Sequence, residues 1–290
     1  MSSDPRDARE LLAFYIDAGA DALLGEAPVD RMADEPVAEP LPERKRPPAA
    51  ASVAGEDAAR AGQSREYFQT RSPQSDPPAS GQGKTAPLPP PDVAATAARD
   101  AASNAATLDE LRALLEGFTG CGLRATATQV VFADGNPAAR VMFVGEAPGY
   151  EEDMSGTPFV GRSGKLLDRM MAAIGLDRTS AYIANVVPWR PPGNRTPTPQ
   201  ETAICLPFVR RQIELANPDV LVCLGGPSMQ TLLGTRDGIT RMRGRWFPYD
   251  TGTREIRAIA TFHPAFLLRS PLQKRLAWRD FMAIKKALAG

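Results

Sequence analysis

Arg140-Val-Met-Phe-Val-Gly-Glu-Ala-Pro-Gly149 is a short apolar run that stops at a glycine- and proline-rich turn. A run with no polar alternation reads as a strand covered on both faces. Three more runs share this character: Ala181 to Val187, Asp219 to Gly225 and Ile256 to Phe262. Each leads into a turn of its own: Asn185-Val-Val-Pro-Trp-Arg-Pro-Pro-Gly-Asn194, Gly225-Gly-Pro227 and His263-Pro-Ala-Phe-Leu-Leu-Arg269. Helical patterns lie between them. Ser163 to Ile174 ends at Gly175, Thr198-Pro-Gln-Glu201 has the pattern of a proline-started capping box, and Ser270-Pro-Leu-Gln273 repeats it. Alternating strands and helices imply a parallel α/β sheet, whose ligands bind outside the carboxyl ends of the strands.

Composition divides the chain. Residues 1–105 hold 14 of the 28 prolines and few large apolar residues after Leu24, too few to offset chain entropy. Residues 25–105 therefore read as a disordered Pro/Ala-rich linker. Ahead of it, residues 1–24 place Leu11, Leu12, Phe14, Tyr15, Leu23 and Leu24 at partly helical spacing, an isolated amphipathic helix that either docks on the core or binds a protein partner. From Thr107-Leu-Asp-Glu110, a capping box opening a helix to about Phe118, the chain reads as one folded domain over 106–290.

Charge divides in the same place. Residues 1–105 carry 11 Lys/Arg against 17 Asp/Glu, a net of −6, and residues 106–290 carry 23 against 17, a net of +6. A basic domain with an acidic arm suits a polyanionic partner, although +6 is also ordinary solvated surface. Cys121, Cys205 and Cys223 fit neither a disulfide framework nor a zinc pattern, which points to a reducing compartment. With no apolar run of membrane-spanning length and no signal-peptide pattern, the expectation is a cytoplasmic monomer without membrane association.

Four segments at the sheet edge carry candidate chemistry. Gly145, Ala147, Pro148 and Gly149 let backbone approach a ligand, while Glu146, Glu152 and Asp153 gather carboxylates; a solvated acidic loop is the plain alternative. In Gly156-Thr-Pro-Phe-Val-Gly161, Phe159 offers a face for a planar ligand, or fills core. Asn185 presents a donor and an acceptor suited to a pyrimidine edge, or forms a turn. Arg190 and Arg195 lie in a stiff, basic, proline-rich loop. His263, the chain's one histidine, can donate to a developing anion, and Leu267, Leu268 and Arg269 behind it have the makeup of a wedge beside a phosphate contact.

Together these motifs, in order and spacing from Thr107 to the C-terminus, resemble the family 4 uracil-DNA glycosylases of the uracil-DNA glycosylase superfamily. The resemblance implies a three-layer sandwich around a four-stranded parallel sheet. It implies hydrolysis of the N-glycosidic bond of uracil in single- or double-stranded DNA, leaving an abasic site, after the base is flipped from the stack. It makes Glu146, Asp153 and His263 catalytic. Gly145, Ala147, Pro148, Gly149, Glu152, Phe159, Gly161, Ser163 and Asn185 bind the substrate, with Glu152 or Tyr150 supplying bulk against thymine. Arg190, Arg195, Leu267, Leu268 and Arg269 contact DNA.

One departure stands out. Family 4 enzymes usually hold a [4Fe-4S] cluster on four cysteines, and those positions here read Phe118, Cys121, Trp189 and Cys205. Two thiolates do not make the usual ligand set, so the expectation is no cluster and no other cofactor, with the aromatic rings filling its volume. A non-catalytic module binding uracil-DNA or single strands is the competing reading. A nucleotide-phosphate-binding protein is disfavoured by the lack of a Gly-x-x-x-x-Gly-Lys-Ser/Thr motif.

Overall fold

A computed structural model describes residues 89–290. The helix expected in residues 1–24, and the linker as far as residue 88, lie outside the described residues.

Four apolar runs form the expected parallel strands. They are β2 (Val141–Gly145), β3 (Tyr182–Asn185), β4 (Val220–Leu224) and β6 (Glu255–Thr261). The sheet is larger than four strands: β1 (Ala133–Gly135) and β5 (Trp246–Asp250) add antiparallel edges, giving the order β1-β3-β2-β4-β6-β5. Both are edge material, β1 because it is short and polar, β5 because Pro248 lacks a ladder donor.

Helices cover both faces. Alternate residues of β2 point opposite ways: Met142 and Val144 pack towards α1 (Pro91–Ser103), α2 (Leu108–Gly117) and α5 (Pro199–Ala216), while Val141 and Phe143 pack towards α4 (Arg162–Ala172) and α9 (Lys274–Ala289). Phe143 stacks on Phe281 of α9 at 6.0 Å. The three-layer expectation holds.

Residues 91–103, placed by composition in the linker, instead form α1. Its Ala94, Ala98 and Ala102 recur at helical spacing and are all buried in the core that includes α5, a face of methyl groups that allows close approach. Thr107 caps α2 as expected, its Oγ1 accepting the Glu110 N–H at 3.2 Å while Glu110 Oε2 accepts the Ala106 N–H at 2.7 Å. Thr198 and Glu201 close a reciprocal box at the start of α5. Ser270 does not repeat it. That residue ends α8 (Pro264–Arg269), its side chain caps nothing, and a 3-10 turn, Pro271–Gln273, leads into α9.

In this order β2 connects to its neighbour β3 on one side, and β4 to β6 on the other. The strand order therefore reverses between β2 and β4, and the crevice at such a switch point is where open α/β sheets bind ligands.

Candidate active site

The turns after β2 and β4 meet there around a cavity of about 620 Å³. Glu146, Ala147, Pro148, Gly149, Glu152, Phe159, Ser163, Asn185, Arg195, His263 and Arg269 all line it, so eleven sequence candidates converge.

Asn185 ends β3, buried, and its Oδ1 has no hydrogen-bond partner. An unpaired buried acceptor is costly unless a ligand satisfies it. Room for Asn185 comes from Gly145 on the neighbouring strand: a methyl group there would lie 2.4 Å from Asn185 Oδ1 and 2.6 Å from Phe159 Cζ. The Phe159 ring faces His263, centroid to centroid 5.5 Å. Phe159 itself has φ 57°, a backbone conformation unusual for a bulky residue.

His263 caps α8 through its side chain, Nδ1 accepting the Ala265 N–H at 3.1 Å. A backbone amide only donates, so Nδ1 is unprotonated and the ring proton of the neutral form lies on Nε2. Burial, assisted by the Arg269 charge, lowers its pKa to about 4, so the ring is neutral at pH 7. Gly225, at φ 92°, keeps the space beside His263 open: a methyl there would come 3.0 Å from His263 Cβ.

Glu146 is the other group poised for chemistry. Its Oε1 is buried without a partner, and burial pushes the carboxyl above that of a free glutamate, opposed in part by neighbouring Thr196. Glu152 is a brace. Its Oε2 accepts the Gly149 N–H and its Oε1 the N–H groups of Val160 and Gly161, all at 3.0 Å, tying the first turn to the Phe159 loop.

Other candidates lie elsewhere. Asp153, expected to be catalytic, faces away from the cavity: its carboxylate accepts the Thr128 N–H at 2.8 Å and the Thr128 hydroxyl at 3.0 Å. Leu267 is fully buried against Phe262 and Ala277 and is not a free wedge; Leu268 is partly exposed. Tyr150 is exposed beneath the Arg190 guanidinium, outside the cavity lining. Arg190 also donates to Asn194 Oδ1 at 2.6 Å, and Arg195 is paired in two-pronged fashion with Glu201. Gly161 contributes its N–H to Glu152 and no cavity surface.

Sequence reading missed Thr196, Ile239, Thr240 and Phe262 in the lining. Thr196 lies in the proline-rich loop and Phe262 next to His263, so both were within reach of the motifs. Ile239 and Thr240 carry no such signal.

Of the four residues expected at cluster-ligand positions, Cys121, Cys205 and Trp189 are buried, and Phe118 packs edge-on against Phe208 at 5.2 Å. The Cys121 and Cys205 thiols influence each other, and that neighbour together with burial holds the Cys205 thiol far above its usual range. Two thiols and two aromatic rings are not a donor set for a four-iron cluster. Cys223 is a core thiol pushed up to about 12 by burial.

Fold and site thus define an α/β protein with a cavity of mixed polar and apolar lining at the carboxyl edge of a mostly parallel sheet. Residues 132–282 match the family model described as the uracil DNA glycosylase superfamily. The chain is 46% identical over 153 residues to the type-4 uracil-DNA glycosylase of Thermotoga maritima, covering 52% of this chain and 78% of that one. It is 40% identical over 182 residues to the Archaeoglobus fulgidus type-4 enzyme, covering 61% and 92%. With the Sulfurisphaera tokodaii type-4 enzyme it shares 37% over 185 residues, 62% and 84% of the two chains. The chain belongs to the uracil DNA glycosylase superfamily.

Proposed function

We propose that this protein is a DNA repair enzyme that hydrolyses the N-glycosidic bond between uracil and deoxyribose, acting on a flipped-out base and without an iron-sulfur cluster. The observation that carries this reading is the orphaned Asn185 Oδ1 beside the Phe159 ring and a neutral His263. Uracil has a flat face for Phe159, an N–H for Asn185 Oδ1, and carbonyl oxygens for the Asn185 amide and His263 Nε2–H.

Cleavage takes the C1′–N1 electron pair onto the base and leaves an electron-poor sugar. His263 Nε2–H stabilises the anion developing on the base, the role of a preorganised donor in a dry site. Glu146, ionised, stabilises the cationic sugar and orients water, whose oxygen bonds to C1′ while a proton is released to solvent or the departing base. Arg269 and exposed Leu268 lie on the same helix as candidates for phosphate contact and for the gap left in the stack. Cluster independence is supported by the donor chemistry at Phe118 and Trp189. The catalytic unit we assign runs from α1 to α9, residues 91–290, because α1 belongs to the same core.

The test is uracil release by purified protein from single-stranded and U·G duplex oligonucleotides, read as alkali-labile strand breaks, with His263→Ala alongside. Release that the mutation abolishes, from colourless iron-free protein, is the expected result. Tight binding of uracil-DNA with no release would instead identify a non-catalytic binding module.

A further inference from the structure

We propose that Arg178 is a positioning residue for base capture, holding Phe159 in the left-handed backbone conformation that presents its ring to the cavity. This rests on the reading of Phe159 as the stacking face.

Arg178 lies in the turn before β3, far in sequence from the loop it grips. Its Nη2 donates to the Phe159 carbonyl, and its Nη1 donates to the Pro158 carbonyl at 3.1 Å. The same guanidinium is anchored on two other elements. Its Nε donates to Asp168 Oδ1 of α4 at 2.9 Å, and its Nη1 pairs with Asp134 of β1. A planar fork of five N–H donors can serve two carbonyls and two carboxylates at once, which an ammonium cannot.

A second element confines the same carbonyl. A methyl group at Gly164 would lie 1.7 Å from the Phe159 carbonyl oxygen, so helix α4 packs directly on that peptide. The Phe159 carbonyl is therefore held by both α4 and Arg178, with Gly145 beside the ring edge. Strained backbone persists where the surroundings over-determine it, and such positions cluster at ligand clamps. Nothing in the chemistry of cleavage calls on Arg178; its partners are all structural, yet one of them is the carbonyl of Phe159, the aromatic residue that faces His263 among the described residues.

The experiment is a double-mutant cycle on single-turnover uracil release and melting temperature, using the full chain, Arg178→Ala, Phe159→Ala and the double variant. Arg178→Ala is expected to lower kcat/KM about tenfold when Phe159 is present and less than about twofold in the Phe159→Ala background, while lowering the melting temperature equally in both. An equal loss of rate in both backgrounds, or no loss in either, overturns the inference. Full activity of Phe159→Ala alone overturns the site reading beneath it. Should Arg178→Ala not fold, Arg178→Lys keeps the charge between Asp134 and Asp168 without the fork and is held to the same criteria.

Discussion

His263 Nδ1 accepts the backbone N–H of Ala265, and this one bond both starts helix α8 and fixes which ring nitrogen carries the proton. The side chain that caps the helix is also one that lines the cavity. Replacing His263 by Ala removes one donor from a dry site, with an expected loss of about a hundred- to a thousandfold in single-turnover rate. DNA affinity, measured by fluorescence anisotropy on a uracil-containing duplex, should stay within about threefold, since the ring contributes to the developing charge more than to ground-state binding.

The pH dependence separates two groups. His263 is already neutral above about pH 4, so its titration does not set the acid limb of activity near pH 6.5. An acid limb is expected instead from Glu146, which burial raises and the proposed reaction needs as carboxylate: the rate should fall as pH drops through a value above that of a free glutamate. Glu146→Gln should lower the rate and abolish that limb, and an unchanged limb in this variant would remove Glu146 from the role.

His263 also makes stability depend on pH. The unfolded imidazole takes a proton below pH 6.5, whereas the folded one refuses it until about pH 4. Its contribution is therefore complete above pH 6.5 and lost as pH falls from there to 4. Melting temperatures of wild type and His263→Gln, followed from pH 7 to 4, should differ in slope over that window.

Gly145→Ala is expected to disable base recognition without unfolding the protein. The added methyl would meet Asn185 Oδ1 at 2.4 Å and the Phe159 ring at 2.6 Å, displacing both at once. Inhibition by free uracil should weaken at least about tenfold, the scale of one or two lost contacts. Inhibition equal to wild type would show that neither side chain touches the base.

Trp189→Ala should cost about 3–5 kcal/mol of stability, the range for emptying a large aromatic site, as read by urea denaturation. Iron chelators should leave the melting temperature of the wild-type protein unchanged.

The four parallel strands were legible because each is a nearly continuous apolar run closed by glycine, asparagine or histidine, a pattern that survives without any knowledge of the partner strands. The edges and α1 were not. Three residues of β1 carry no period, Pro248 disguises β5, and α1 packs through alanines whose small volume looks like linker composition. At the site, Glu146, Phe159, Asn185 and His263 follow from their places at strand ends and turns. Asp153 and Leu267 were named together with Glu152 and Leu268, and the structure parts each pair. On a helix, neighbours differ by about 100° in direction, so Glu152 faces the loop and Asp153 turns to Thr128, while Leu267 faces the core and Leu268 the surface. Arg178 was invisible, since two of its partners are backbone carbonyls and the others, Asp134 and Asp168, are brought to it only by the folded sheet and α4.

The Glu152 carboxylate joins the amides of Gly149, Val160 and Gly161. Two walls of the pocket thus share one latch. Exchange of these three amide protons with solvent deuterium is therefore expected to rise together when the carboxylate is removed, and the two walls to loosen as one unit.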